Sequence, residues 1–396
     1  MSKGFGVDTL LVVDDSQFRD AEGAVVPPIY QNSLFTFDSW EAIDSAFDDK
    51  VNRAIYTRGN NPSVALVEKK LALLAGAEKA RLFSSGMAAI SAAILHFVSA
   101  GDHVIAVKNA YGPTVGLLND FLGPKLGIEC SFVGGGEIEE FTGAIRPNTR
   151  LIFLESPSSV VFGLQDLAAV ADLARSRGIA TAIDNTWATP YFQKPLALGI
   201  DLEIHSCSKY LGGHSDLVAG ALIGSVQLID EIRMREYELL GAKMAPIEAW
   251  LLLRSLRTLP LRMERHQQSA LRVAQFLRAH PSVRRVFYPG LEDFPQYDLA
   301  RRQMSGFSGL MGFELATDEL DSIKRFFNAL ELFRIGVSWG GHESLVYAPA
   351  IGYLREQSPD RLADMGIFLG NMRISVGLES ADDLIADLDR ALCLVL

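Results

Sequence analysis

From about residue 61 onward, short apolar runs recur with amphipathic stretches between them, and this alternation restricts the fold more than any other feature of the chain. Residues 104–107, 151–154, 179–183 and 202–205 are too short and too apolar for surface helices and read as buried strands. Residues 63–75 carry Val64, Leu66, Val67, Leu71 and Leu74 at the spacing of one helical face, and residues 87–100 and 167–177 also read as helices. Strands that alternate with helices form a mostly parallel sheet with helices on both faces, because the helices are the crossovers. Ligands of such sheets bind where the carboxyl ends of the strands open into loops. Chemistry is therefore expected just after each apolar run.

The last third has a second pattern. A long helical segment over 246–279 leads to a strand at 309–314, a helix at 321–329, a strand at 373–376 and a helix at 381–391, which together predict a smaller sheet with helices on one face. The first fifty residues differ from both regions. They hold scattered aromatics, the Pro27-Pro28 pair and little periodicity before Trp40, and read as an extended arm that packs on another subunit. The expected division is an arm at 1–55, a large domain at 56–240 and a small C-terminal domain with its linking helix at 241–396.

The 396 residues have a net charge of −11 and no block of Lys and Arg, which argues against general nucleic-acid binding. The cysteines, Cys130, Cys207 and Cys393, have neither disulfide-framework nor zinc spacing, so no metal is expected and a reducing cytoplasm fits best. The longest apolar stretch, 87–100, is too short to span a bilayer and contains Ser91, His96 and Ser99. The start, Met1 to Gly6, lacks the apolar core of a signal peptide.

Five segments at strand ends carry candidate chemistry. Ser206-Cys207-Ser208-Lys209 follows the strand at 202–205; a lysine there, flanked by two hydroxyls, suits an amine that attacks an aldehyde beside a phosphate. The strand at 179–183 ends in Asp184, whose carboxylate could pair with a protonated pyridine nitrogen. Ser84-Ser85-Gly86-Met87 opens a helix whose free N–H groups would hold a phosphate. Tyr111, after the strand at 104–107, could stack on a flat ring. Arg373, at the start of a strand pattern, is oddly placed unless it meets a carboxylate. Alone, each has an ordinary explanation: a solvated lysine, a helix-capping aspartate, a glycine turn, a packed tyrosine, a surface ion pair. Asp184 and Lys209 on consecutive strand ends favour the joint reading.

With these residues in place, the chain resembles the cysteine/methionine-metabolism enzymes that use pyridoxal phosphate (PLP): cystathionine β-lyase, cystathionine γ-synthase, cystathionine γ-lyase and methionine γ-lyase. The resemblance rests on an ordered set. It comprises Tyr56-Thr57-Arg58 with Asn61-Pro62, Glu155-Ser156-Pro157, Asp184-Asn185-Thr186, His205 through Tyr210, Gly213 through Asp216, Leu253 through Thr258, and Ser338-Trp339-Gly340-Gly341. It implies the type I PLP-dependent transferase fold, of the aspartate aminotransferase kind, as a homotetramer built from two tight dimers. It implies that Lys209 carries PLP as a Schiff base and shuttles protons, that Tyr111 stacks on the ring and serves as acid and base, and that Asp184 pairs with the ring nitrogen. The backbone of Gly86 and Met87, the hydroxyls of Ser206 and Ser208, and Tyr56 and Arg58 of a neighbouring subunit would hold the phosphate. Arg373 and Ser338 would hold the substrate carboxylate. A Tyr111 phenolate would be favoured by cationic surroundings.

The substrate is less constrained. Trp339 and Ser159 lean toward the β-lyases, and C–S cleavage of cystathionine or a similar conjugate leads the reading. Val337, with Ile55, Gly59 and Gly116, would surround the distal end of the substrate, where an apolar Val337 cannot orient a second amino-acid head group by charge. A γ-lyase or γ-replacement enzyme acting on methionine, an O-acylhomoserine or a canavanine-like substrate is the alternative. A nicotinamide dehydrogenase is disfavoured, because Gly134-Gly135-Gly136 lacks GxGxxG spacing before a helix. His205 and His214 read as structural, Glu155 as an acid beneath the site, and Cys207 as facing the core.

Overall fold

The computed structural model describes residues 5–13, 23–351 and 366–395. The start at Met1–Gly4 and part of the expected arm lie outside these residues. A seven-stranded sheet is built from β1 (Lys79–Phe83), β2 (His103–Val107), β3 (Glu129–Val133), β4 (Thr149–Glu155), β5 (Ala180–Asp184), β6 (Leu202–Ser206) and β7 (Gly220–Gly224). Its order is β1-β7-β6-β5-β4-β2-β3. The pairs from β3 through β6 are parallel, and β7 alone runs against its neighbours β6 and β1.

Side-chain alternation explains the layers. Val104, Ala106, Phe153, Ala182 and Ile204 point to one face and pack on Ile90, Ala93 and Ile94 of the helix Gly86–Phe97. Ile105, Val107, Leu154 and Ile183 point to the other and pack on Leu167, Val170 and Ala174 of the helix Leu167–Arg177. Burial of each of the larger of these side chains, the Val, Leu, Ile and Phe, contributes about 2 kcal/mol, which a solvated sheet face would forgo.

The second sheet contains β8 (Val283–Phe287), β9 (Leu310–Leu315), β10 (Arg334–Ile335), β11 (Leu345–Tyr347) and β12 (Asn371–Ser375) in the order β10-β11-β12-β9-β8. The helices Leu259–Ala279, Leu320–Ala329 and Ala381–Leu392 accompany it. The fold is thus the expected one, a large mostly parallel sheet flanked by helices plus a smaller α/β domain.

Three local differences stand out. The helical segment expected as one piece is two helices, Pro246–Leu256 and Leu259–Ala279, broken at Arg257-Thr258 just before Pro260, whose ring cannot continue the preceding turn's hydrogen bonds. The strands β3 and β7 were not legible in the apolar pattern; β3 has an exposed or half-exposed sequence and β7 is glycine-rich. A short helix, Val7–Val12, stands where no periodicity is visible, tied down by the buried Lys70 amine, which donates 2.6 Å to the carbonyl of Leu10. Among the described residues, no helix is long and apolar enough to cross a membrane.

Candidate active site

The strands β4, β5 and β6 run side by side in one direction, so their carboxyl ends deliver Glu155, Asp184 and Ser206 to one edge. Glu155 is in register with Asp184, and Asp184 with Ile204. Lys209 follows in a turn closed by its own N–H on the carbonyl of Ser206, at 3.2 Å. Its amine donates to Ser338 Oγ at 2.8 Å and lies 5.5 Å from the centre of the Trp339 ring. Burial, helped by the Arg373 charge and opposed by Asp184, pulls that amine down to about 8. Roughly a tenth of it is therefore neutral at pH 7, where an ordinary lysine is almost wholly charged.

Asp184 is buried, and its Oδ1 accepts the Thr186 N–H at 3.0 Å as well as the Thr186 hydroxyl. That hydroxyl oxygen in turn accepts the Ser206 N–H at 2.8 Å, so Thr186 clasps the ends of β5 and β6 together. Burial raises the Asp184 carboxyl, more than these hydrogen bonds and the charges of His205 and Lys209 lower it. Glu155 is pushed up to about 8, by burial first and by Asp184 second. Its two oxygens accept the Tyr111 N–H at 2.7 Å and the Ser159 hydroxyl at 2.6 Å.

Tyr111 starts the short helix Gly112–Gly116, with its ring half exposed above this floor. The expectation of a favoured phenolate is corrected here. Burial, Asp184 and Glu155 raise the phenol, and Arg373 offsets them only in part. In the protein alone, burial and the neighbouring carboxyls outweigh the one cation beside this ring.

The helix Gly86–Phe97 begins directly against β6. A Cβ on Gly86 would lie 2.9 Å from both Cβ and Oγ of Ser206, and one on Gly220 would collide with the Ser85 carbonyl. Only glycine permits this approach. The Ser85 hydroxyl caps Ala88 N–H at 3.0 Å, whereas the N–H groups of Gly86 and Met87 have no hydrogen-bond partner among the described residues. Ser206 stands beside them. The Ser208 hydroxyl is instead shared with Ala219, accepting its N–H at 3.0 Å and donating to its carbonyl at 3.3 Å.

The small sheet closes the site from the other side. Arg373 on β12 stacks 5.0 Å from the Tyr347 ring centre and donates to the Val337 carbonyl at 2.5 Å. The segment that follows, Ser338-Trp339-Gly340, crosses to the large sheet: Ser338 meets Lys209, Trp339 packs on Tyr210 at 5.6 Å between ring centres, and Gly340 takes a φ of +79°. The Val337 side chain is 75% exposed.

Some expected residues stand apart. Tyr56 and Arg58 are exposed just after the expected arm, with the Arg58 guanidinium 5.4 Å from the Tyr56 ring centre. Among the described residues they make no contact with Lys209, Asp184 or Tyr111. Gly59 lies under Arg233, whose Nη2 would be 2.7 Å from an added Cβ. His205 and Glu203 form a fully buried pair at 2.7 Å, with Asn185 donating to the same Glu203 oxygen at 2.7 Å; His214 bonds the Gly212 carbonyl at 2.8 Å. Cys207 is buried. Sequence reasoning assigned no role to Thr186 or Glu203. The Asp-x-Thr spacing could have pointed to the first, and a charge inside an apolar strand to the second.

This donor set fits PLP. A partly neutral, sheltered amine can take an aldehyde. A buried carboxyl raised by desolvation gains most from a cation such as a protonated pyridine nitrogen. The half-exposed Tyr111 ring offers a face, and two unclaimed N–H groups at the start of a twelve-residue helix offer a phosphate seat.

The comparisons agree. A family model described as "Cys/Met metabolism PLP-dependent enzyme" matches residues 8–393. The chain is 42% identical to an L-methionine gamma-lyase of Porphyromonas gingivalis, over 94% of each chain. It is 39% identical to a cystathionine gamma-lyase of Bacillus subtilis, over 97% of this chain and 98% of the relative. It is 38% identical to a cystathionine beta-lyase of Lactococcus lactis, over 93% and 94%.

Proposed function

From the premise that this chain belongs to the Cys/Met metabolism PLP-dependent enzyme family, we propose that it eliminates a γ-substituent from an amino acid with an apolar, thioether-type end. The observation that carries this reading is Val337. It stands exposed beside Ser338, whose hydroxyl meets the Lys209 amine, and would present a hydrocarbon surface where a second amino-acid head group would need a charge. The relatives named methionine γ-lyase support it. Cleavage of cystathionine at its β-carbon is the second reading, favoured by Trp339, which covers Lys209, and by Ser159.

When bound, PLP supplies an electron sink for charge developing on the substrate carbons. The residues divide the remaining work. Lys209 would hold the cofactor's carbonyl carbon and, once displaced by substrate amine, would carry protons between the α- and β-carbons, which its lowered pKa permits. Asp184 would face the ring nitrogen and keep it protonated, held to that task by Thr186. Tyr111 would cover the ring and protonate the leaving group, a role that suits its raised pKa. Gly86, Met87 and Ser206 would seat the phosphate, with Ser208 steadying the loop beside it. Arg373 and Ser338 would take the substrate carboxylate in two-point fashion.

We take the assembly to be a homotetramer, with Tyr56 and Arg58 completing the site of a neighbouring copy and residues 1–55 forming the arm. The exposure of both residues supports this, as do Trp40 and Phe47, exposed on the arm helix Trp40–Asp48. The large domain is then 56–240 and the small one 241–396, and three free cysteines support a cytoplasmic location.

The test is a keto-acid assay with product identification on the PLP-loaded protein. Methionine should yield a four-carbon keto acid, ammonia and a volatile thiol. Pyruvate and homocysteine from cystathionine, with methionine inert, would replace this reading by the second.

A further inference from the structure

Glu155 is a buried carboxyl that touches two other parts of the site at once. It ends β4, in register with Asp184 on β5. Its Oε2 receives the backbone N–H of Tyr111, and its Oε1 the hydroxyl of Ser159. Tyr111 has no side-chain hydrogen bond capping its short helix, Gly112–Gly116. The fixed points of that helix start are therefore this N–H and the turn bonds from Thr114 and Val115 back to the Tyr111 carbonyl, at 2.9 and 3.2 Å. A tyrosine whose ring is half exposed has little packing to orient it, so its backbone anchor sets where the ring stands.

We propose that Glu155 is a positioning residue: it clamps the Tyr111 backbone and the Ser159 hydroxyl to the end of β4 and thereby fixes the Tyr111 ring over the site. The role of the ring itself rests on the functional reading above; the clamp does not. Glu155 makes this hold without charge. Burial beside Asp184 pushes it up to about 8; the neutral form would carry its proton on Oε1 and donate it to the Ser159 hydroxyl, reversing that hydrogen bond, while Oε2 still accepts from Tyr111. The amide of Glu155→Gln reproduces that pattern, with one oxygen to accept and one NH2 to donate. Glu155→Ala removes both contacts.

The experiment compares wild type, Glu155→Ala and Glu155→Gln, each also in a Tyr111→Ala background. Hydrogen exchange of the 111–116 segment reads the clamp directly. It should quicken about tenfold in Glu155→Ala, as expected when a buried N–H loses its acceptor, and return in Glu155→Gln to within about threefold of wild type. In the PLP-loaded proteins, the visible circular dichroism of the cofactor should shrink in Glu155→Ala and recover in Glu155→Gln. The kcat should fall about tenfold or more with little change in KM, because a slightly misplaced group costs rate. In the Tyr111→Ala background, removing Glu155 should cost little further. If Glu155→Ala does not fold, Glu155→Met fills the volume without an acceptor and gives the same comparison.

Unchanged exchange in Glu155→Ala overturns the clamp. Equal damage from Glu155→Gln, or a full further loss in the Tyr111→Ala background, overturns positioning through Tyr111. A wild-type protein that binds no PLP sinks the functional reading instead, and the exchange arm still decides the clamp.

Discussion

The end of the large sheet and the strap from Val337 to Gly341 meet at Lys209 but are made differently. On the sheet side, Asp184 and Glu155 are buried carboxyls fixed by strand register, each accepting hydrogen bonds from neighbours two or four residues away or across the sheet. On the strap side, Val337 is exposed, Ser338 offers one hydroxyl, and backbone and ring contacts hold the segment in place. Burial costs free energy for any charge there, so the sheet side can shift pKa values and hold reacting groups. On the strap side Val337 is exposed to solvent, and on the reading proposed above it would be where substrate choice is set.

The largest effect should come from the sheet side. Lys209→Ala should lower kcat by at least about a thousandfold, as loss of a nucleophile does, in a steady-state keto-acid assay on protein whose circular dichroism shows an intact fold. A mutant of undiminished rate would remove Lys209 from the chemistry. Next, Asp184→Asn should cost about a hundredfold, since it removes a charge preorganised in a water-poor site. Comparable loss from a strap residue would erase the contrast.

Thr186→Val tests whether the clasp between β5 and β6 is structural as well. It leaves the half-buried Ser206 N–H without an acceptor and the buried Asp184 short of a donor, and should destabilise the protein by about 2 kcal/mol in urea unfolding. A change below about 0.5 kcal/mol would mean that Thr186 is dispensable.

A smaller effect is expected at the strap. Val337→Glu should lower kcat/KM for methionine by about tenfold or less, and improve relative use of cystathionine, whose distal ammonium it could meet. An equal loss on both substrates would count against Val337 as a specificity position.

The smallest effect is one of pH. With the Lys209 amine at about 8, its reaction with PLP in cofactor-free protein should climb from pH 7 to about 9 and then level, whereas an ordinary lysine keeps gaining to beyond 10. Two buried groups of the sheet side also tilt stability in opposite senses. Lys209, depressed in the fold, binds fewer protons there than when unfolded, so its contribution rises between about 8 and the normal lysine value of 10.5. Glu155, elevated to about 8, does the reverse, and its contribution falls as pH rises from 4.5 to 8.

Much of the sheet side was legible because parallel strands convert sequence order into spatial order. An apolar run that ends in Asp184, followed by one that ends in Ser206 and Lys209, must put those residues on neighbouring strand ends. The same logic fails for β3 and β7, whose residues are too exposed or too small to carry a pattern. It fails for Tyr111 as well: the cationic neighbour inferred from the sequence is there, in Arg373, but burial first, and then the nearby Asp184 and Glu155, outweigh it.

The sequence by itself determined the fold class, the placement of Asp184, Ser206 and Lys209 at neighbouring strand ends, and the family, because side-chain periodicity and an ordered set of short segments are local properties. The tertiary structure alone decided three things: that Glu155 holds Tyr111 and Ser159 together, that Thr186 joins two strand ends, and that Ser338 meets the Lys209 amine across 129 residues of chain. Each depends on the distance between groups far apart in the chain, and hydrogen bonding and desolvation respond to that distance rather than to separation in sequence.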